Sequence, residues 1–324
     1  MNPTHMSPTQ KKRGADADTP RSLPWPAWKA VIGRVWVNNG RHNLSLLSAG
    51  VAFYAFLSFV PLLGALVMSY GLIADPATVA QHMRTIIDLV PADAAQLIYD
   101  QLKQLTQAAA GQKGLGLMIA LLISIYGASR ASGAMIGSLN IIYEEEDRRS
   151  MLRSTLLSAG LVMAAVMVGI MGLLAASMLS LAGVMVGGWG WVATAAVQVL
   201  TWITAAALCS TAIGGMYRFA PDRSDARWQW LNIGSILATL LWLAATLGFG
   251  FYASRFGDYD ATYGSLGAVV VLLMWLYVSA YAVLIGGLVN AELERQTAQD
   301  TTTGPEKPMG SRGAKMADTS AAMP

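Results

Sequence analysis

Arg130 is the residue in this 324-residue sequence whose position most strongly indicates chemistry. It is a lone charge in the middle of an apolar stretch, within a run of Gly, Ala and Ser between Tyr126 and Gly137. Insertion scales put an arginine at the centre of a membrane helix at roughly 2.5 to 3.5 kcal/mol, so Arg130 should face water or a bundle interior. Its role could be contact with an anion or headgroup, or bonding to carbonyls of a broken helix.

Polar side chains recur at helical spacing in two later stretches, one at Thr194, Gln198 and Thr201 and one from Asn232 to Thr246. They could line a polar path through the membrane, or hydrogen bond between helices of a dry bundle. Both interpretations stay open. The candidate residues for such a path are Arg130, Tyr54, Ser58, Gln198 and Asn232.

Enzyme chemistry is not indicated. No Walker A loop, HExxH or GxSxG motif occurs. The acidic run from Glu144 to Asp147 could bind a divalent metal, but Arg148 and Arg149 follow at once, which favours a solvated helix end. Cys209 is the single cysteine and the three histidines are scattered, so we expect no disulfide, no metal site, no cofactor and no enzyme.

The composition places these residues in membrane helices. Hydrophobic residues make up 54% of the chain and charged residues 13%, about half the share in soluble proteins. Backbone groups in lipid must be satisfied within a segment, so the apolar blocks predict an all-α fold, a polytopic integral membrane helical bundle. The six transmembrane helices are expected at about 46–73, 115–141, 155–186, 191–217, 230–253 and 266–290.

The distribution of Lys and Arg predicts the orientation. Seventeen lie in the two terminal regions and the loops after the second and fourth spans, and four lie in the other three loops. The positive-inside rule therefore puts both termini in the cytoplasm. The basic residues, and the net charge of +3, then need no nucleic-acid partner.

Four segments lie outside the predicted spans. Residues 24–39 carry Trp and branched apolar residues with interleaved Lys and Arg, which is typical of an amphipathic helix lying in the inner interface. The extracytoplasmic loop at 75–113 reads as two short helices broken at Pro91. The composition of residues 1–23 and 296–324 predicts disordered cytoplasmic tails.

Several motifs together resemble the YihY/BrkB family of bacterial inner-membrane proteins. They are Ser48–Pro61, Leu139–Tyr143, Tyr217–Pro221, Ala261–Ala268 and Trp275–Tyr277. The motif residues with an expected structural role are Pro61, Asn140, Tyr143, Tyr263, Gly264, Gly267 and Trp275. Pro61 cannot donate a helix hydrogen bond and should kink the first span.

The resemblance implies a multi-pass protein of the bacterial plasma membrane that contacts lipids. Members carry the labels virulence factor and serum-resistance protein, an older ribonuclease BN label is regarded as mistaken, and transport of lipids or small solutes has been proposed. In the last span the family pattern Gly-Ala-Glu-Leu-Asn is similar to Gly286–Asn290 here, with Leu288 at the carboxylate position. If relatives use that acid for ion or proton coupling, this chain either lacks the coupling or uses Glu292, one turn later.

We therefore expect a transporter or exporter of a lipid-like or small polar solute. The alternative is a non-transporting structural or assembly protein of envelope biogenesis. Gly-rich faces on the second and sixth spans permit a homodimer, although they serve internal packing equally well.

Overall fold

The computed structural model describes residues 7–71, 113–186, 191–255 and 265–322. Within these residues the chain is helical, and the sole β pairing is an isolated bridge between Ala226 and Thr302. The all-α fold class is confirmed.

The six longest described helices lie where the apolar blocks predict them. In chain order the helices are α1 (Pro8–Lys12), a 3-10 turn (Pro20–Ser22), α2 (Trp25–Arg41), α3 (Leu44–Gly71), α4 (Lys113–Ile142), α5 (Met151–Val186), α6 (Trp191–Phe219), α7 (Trp228–Arg255), α8 (Ser265–Glu294) and α9 (Lys315–Asp318). Helix α3 is assigned as one element through Pro61. Tyr263, Gly264 and, apart from Lys113, the predicted loop at 75–113 lie outside the described residues.

Four of the described helices, α5 to α8, are long and apolar enough to cross a membrane. Helices α2 and α3 would supply a fifth span if they count as one, with a bend of 61° between them. The turn that joins them contains Asn43, whose φ of 51° lies in the left-handed region. A helical protein whose described residues include four or five segments capable of crossing a membrane is therefore confirmed. Six spans, an interfacial α2 and cytoplasmic termini stay predictions.

The helices divide into two compact units. The first unit contains the described parts of Met1–Leu44, Ile136–Leu241 and Ala282–Pro324, and helices α5 and α6 pack side by side within it. The second contains the described parts of Ser45–Met135 and Trp242–Tyr281. Helices α4, α7 and α8 each contribute one end to each unit.

The described residues of the two tails, 7–23 and 296–322, hydrogen bond to each other within the first unit. The Thr297 hydroxyl donates to the Ala17 carbonyl at 2.7 Å, and the Ala298 amide donates to the Ala15 carbonyl at 2.9 Å. Arg312 is buried and donates to the carbonyls of Ala298, Gln299 and Ala317. Bonds to backbone groups of this kind can order a polar, Gly-rich segment.

Candidate functional site

In the second unit, α3 and α4 approach closely where Gly127 meets Ser58. A Cβ added at Gly127 would lie 2.7 to 2.9 Å from the Cβ, Cα and N atoms of Ser58, which is too close for any other residue. Ser58 keeps its hydroxyl within its own helix, donating to the Ala55 carbonyl at 2.8 Å. Glycine at position 127 therefore allows the two helices to touch.

Arg130 lies about one helical turn from this contact, on α4. Its side chain is exposed, and its guanidinium carbon lies 5.2 Å from the centre of the Tyr126 ring, within the range of a cation–π interaction. Among the described residues no carboxylate forms an ion pair with it. Tyr54, one turn from Ser58 on α3, is half-buried, with its ring edge-on to Phe53. Within the described part of the chain, the recorded contact of the guanidinium is with the Tyr126 ring.

Some hydroxyl groups of the later helices take part in helix packing. In the first unit the Ser210 hydroxyl of α6 donates to Ser235 of α7 at 3.2 Å. In the second unit the indole of Trp275 donates to Thr246 at 3.3 Å. These bonds fit the interpretation of interhelical hydrogen bonding.

The five path candidates are split between the units. Arg130, Tyr54 and Ser58 belong to the second unit, whereas Gln198 and Asn232 are exposed positions of the first. A joint path through all five stays a prediction.

The first unit has a layer of buried charged side chains where the chain ends pack, which we call the polar layer. Its first ion pair joins α2 to the end of α8. Glu292 is fully buried; its Oε2 accepts a hydrogen bond from Arg34 Nε at 2.5 Å, and its Oε1 accepts one from Asn38 at 2.6 Å. Arg34 also donates to Gln296 at 2.6 Å. Glu292 therefore holds α2 in place, and its role as a coupling acid stays a prediction.

The second ion pair of the polar layer is buried still more completely. Arg223 donates to both oxygens of Glu294, at 2.7 and 3.0 Å, and both side chains are 0% exposed. The Arg223 guanidinium carbon also lies 4.1 Å from the centre of the Tyr143 ring. Burial raises the pKa of Tyr143, so its hydroxyl stays protonated at physiological pH. These contacts connect three segments distant in sequence.

Two of the resembling motifs meet beside this pair. Asn140, near the end of α4, accepts a hydrogen bond from the Asp222 amide at 2.8 Å. Arg149 pairs with Asp222 at 3.0 Å and donates to the carbonyls of Ala220 and Pro221 at 2.8 and 2.6 Å. Since Asn140 and Tyr143 sit one turn apart, they fix both the loop after α6 and Arg223 within it.

The acidic run is dispersed among separate partners. Glu144 pairs with Arg295, Glu145 accepts a hydrogen bond from the Lys315 amide, and Glu146 pairs with the exposed Arg148. Burial raises the pKa of Glu145. In the described part of the chain, no three His, Cys, Asp or Glu side chains are arranged to hold a metal ion.

Helices α7 and α8 come into direct contact within the first unit at Gly234 and Gly286. A Cβ on either glycine would overlap the carbonyl oxygen of the other. Asn290, one turn further on α8, accepts from the Gly234 amide at 2.7 Å and donates to the Leu231 carbonyl at 3.0 Å. Leu288, at the position of the family carboxylate, is fully buried. This end of the motif is thus a packing site.

Sequence analysis missed Glu294 and Arg223 as a site. Glu294 is the last residue of α8 and Arg223 follows the end of α6, where an acid or arginine is ordinarily interpreted as a solvated or topology-setting residue. Two acids two residues apart at the end of an otherwise apolar helix were the available signal, because burying them demands partners.

Comparison with known proteins agrees with this architecture. A family model described as virulence factor BrkB matches residues 35–310. The chain therefore belongs to the BrkB family, and the resemblance seen in its motifs is confirmed.

Individual relatives are distant. A Bacillus subtilis strain 168 protein named ribonuclease-like protein YfkH is 26% identical over 280 residues, covering 83% of this chain and 95% of the relative. A UPF0761 membrane protein of Rhodospirillum centenum is 28% identical over 280 residues, covering 85% of this chain and 59% of the relative. A UPF0761 membrane protein of Ralstonia nicotianae is 26% identical over 264 residues, covering 78% and 56%. No solved structure matches the chain.

Proposed function

We propose that this BrkB-family membrane protein is a transporter or exporter of a lipid-like or small polar solute, with Arg130 attracting an anionic group of the cargo. The single observation that carries the proposal is the exposed Arg130 guanidinium in the middle of α4, which no carboxylate neutralises among the described residues. An ionisable group at membrane depth is costly, and such residues mark ion and substrate pathways.

The surroundings of Arg130 suit a polar path. Tyr54 and Ser58 lie on α3, which the Gly127 contact holds against α4. Arginine binds carboxylate and phosphate groups with two parallel hydrogen bonds, so the favoured cargo carries one of these groups. We place both termini in the cytoplasm of a bacterial cell, as the bias in Lys and Arg indicates.

The test is flux in liposomes of bacterial lipid that contain the purified protein. Scrambling of labelled phosphatidylglycerol and uptake of a panel of small carboxylates and phosphates are measured for the native chain, Arg130→Leu and Arg130→Lys. Losing hydrogen bonds to a charged group should lower flux about tenfold or more in Arg130→Leu, with partial recovery in Arg130→Lys.

Arg153→Leu is the matched control, since Arg153 is an exposed arginine near the start of α5 and belongs to the first unit. Flux should stay unchanged in this variant. Full flux in folded Arg130→Leu would show that Arg130 does not bind the cargo. Equal losses of flux in Arg130→Leu and Arg153→Leu would show a general effect of positive charge.

The second candidate is a structural or assembly protein of the envelope, favoured by a different observation. The hydroxyls of Ser210, Ser235 and Thr246 are engaged in helix packing, and the described parts of the two tails hydrogen bond to each other. The structural role is favoured if the liposomes show no flux of any cargo and substitutions of these three hydroxyl residues lower stability. Removing residues 78–110 should then abolish function in cells.

The comparisons bear on the enzyme question only through a name. YfkH is named ribonuclease-like. A nuclease that uses metal needs carboxylates or histidines converging on metal and phosphate. The carboxylates of Glu144, Glu145 and Glu146 here point to three different partners. A homodimer through the Gly-rich faces of α4 and α8 also stays a prediction, and a mass measurement in detergent would check it.

A further inference from the structure

Helix α2 presents two contrasting faces. On the inner face Ala27 and Val31 are 1% exposed and pack with Trp230 and Leu293 in a shared apolar cluster. On the opposite side three large side chains are exposed at helical spacing of seven and four residues. Trp25 is 66% exposed, Ile32 59% and Trp36 82%. We call Trp25, Lys29, Ile32 and Trp36 the outer face of α2.

This division goes beyond the amphipathic pattern of the sequence. Trp28 and Val35, which the pattern assigns to the same interfacial stripe, pack against the inner cluster instead. The helix therefore uses one apolar stripe for the protein and keeps a second, separate one exposed. A soluble protein seldom exposes large aromatic residues in a continuous stripe without a partner.

The charges of α2 are divided in the same way. Arg34 turns inward to the buried carboxylate of Glu292, so its charge is neutralised. Lys29 and Arg41 are exposed, and the Lys29 ammonium lies 5.7 Å from the centre of the Trp25 ring. The helix contains no acidic residue. The outer face thus combines apolar and aromatic surface with uncompensated positive charge.

The position of α2 in the chain limits what can cover this face. Two residues separate the end of α2 at Arg41 from the start of α3 at Leu44, and α3 is apolar, with Leu46 71% exposed. Helix α2 is therefore followed along the chain by a helix with membrane composition. Trp favours the headgroup level of a bilayer, and Lys and Arg near that level are attracted to anionic lipids.

We propose that the outer face of α2 is a lipid-binding surface that lies in the headgroup region of the membrane and selects anionic lipids. A second copy of the chain is a poorer occupant, because a symmetric pairing of this face would bring Lys29 of both copies together without a carboxylate on α2. This proposal does not depend on transport, since it concerns a helix outside the α3–α4 contact.

The test uses spin labels on the full chain in liposomes. In a Cys209→Ala background, single cysteines replace Ile32 or Trp36 on the outer face, and Lys11 in α1 supplies an aqueous reference because it is exposed. Collision with oxygen, which partitions into lipid, is compared with collision with a water-soluble nickel chelate. Labels at positions 32 and 36 should collide with oxygen and be protected from nickel, and the label at position 11 should show the opposite.

The selectivity is tested by comparing phosphatidylcholine with mixtures that contain phosphatidylglycerol. Protection from nickel at position 36 should increase with phosphatidylglycerol, and the double variant Lys29→Gln, Arg41→Gln should lose that increase. Arg21→Gln, an exposed arginine before α2, is the control and should keep it.

Each contrary result rejects part of the proposal. Nickel access at position 36 equal to that at position 11 would mean that the face is in water. Short distances between labels at position 36 of two copies would identify a second chain as the occupant. If protection from nickel still increases with phosphatidylglycerol in the double variant, Lys29 and Arg41 do not select anionic lipids.

Discussion

The buried pair of Arg223 and Glu294 makes a strong prediction about stability. Both side chains are 0% exposed, two hydrogen bonds of 2.7 and 3.0 Å join them, and the Tyr143 ring lies against the guanidinium. Glu294→Gln leaves Arg223 buried without a countercharge. Removing one partner of a buried pair typically costs about 3 to 5 kcal/mol, so we expect a loss of that size in the free energy of unfolding.

Replacing both partners tests whether the loss of stability comes from leaving one buried charge unpaired. Arg223→Met with Glu294→Leu removes both charges and keeps apolar volume, and such replacements are often neutral or stabilising by about 1 to 4 kcal/mol. The double variant should therefore be more stable than either single variant. Arg148 and Glu146 supply a matched control, since their 3.1 Å ion pair is 82% and 81% exposed and Glu146→Gln should cost less than about 1 kcal/mol.

The assay is reversible unfolding in mixed micelles with increasing denaturing detergent, followed by circular dichroism. The expected order of stability is native and double variant above Glu294→Gln, with Glu146→Gln close to native. The reasoning fails if Glu294→Gln and Glu146→Gln unfold at the same detergent fraction, because equal costs would mean that Arg223 reaches water.

Three further predictions follow from single contacts. Gly234→Ala should lower the free energy of unfolding by about 1 to 3 kcal/mol through overlap with α8, whereas Gly215→Ala, with open space around its Cβ, should be neutral or stabilising in the same detergent titration. Asn140→Ala removes the acceptor of the Asp222 amide, so that amide should exchange with deuterium faster in mass spectrometry, and unchanged exchange would contradict the contact. Burial lowers the pKa of His42 below its ordinary 6.5, despite the nearby Glu144. The folded protein should therefore lose stability as the pH falls from about 6.5 toward the pKa of the folded state. Thermal unfolding measured across that range should show a smaller pH dependence in His42→Asn.

Sequence alone was sufficient for the helices because the physical cause acts within each segment. Apolar blocks of membrane length in a chain with 13% charged residues must satisfy their own backbone groups, and the structure has long helices at the predicted places. The motifs around Asn140 and Tyr143 likewise pointed to the BrkB family. Each of these inferences depends on neighbours along the chain.

The partners of polar residues could not be inferred in that way. Glu292 and Glu294 are two residues apart at the end of α8, yet one pairs with Arg34 of α2 and the other with Arg223 after α6. The buried Arg312 guanidinium donates to the backbone carbonyls of Ala298 and Ala317. The sequence by itself determined where helices form, and only the tertiary structure decided which charges are buried, because the cost of burying a charge is offset by groups brought near it by folding.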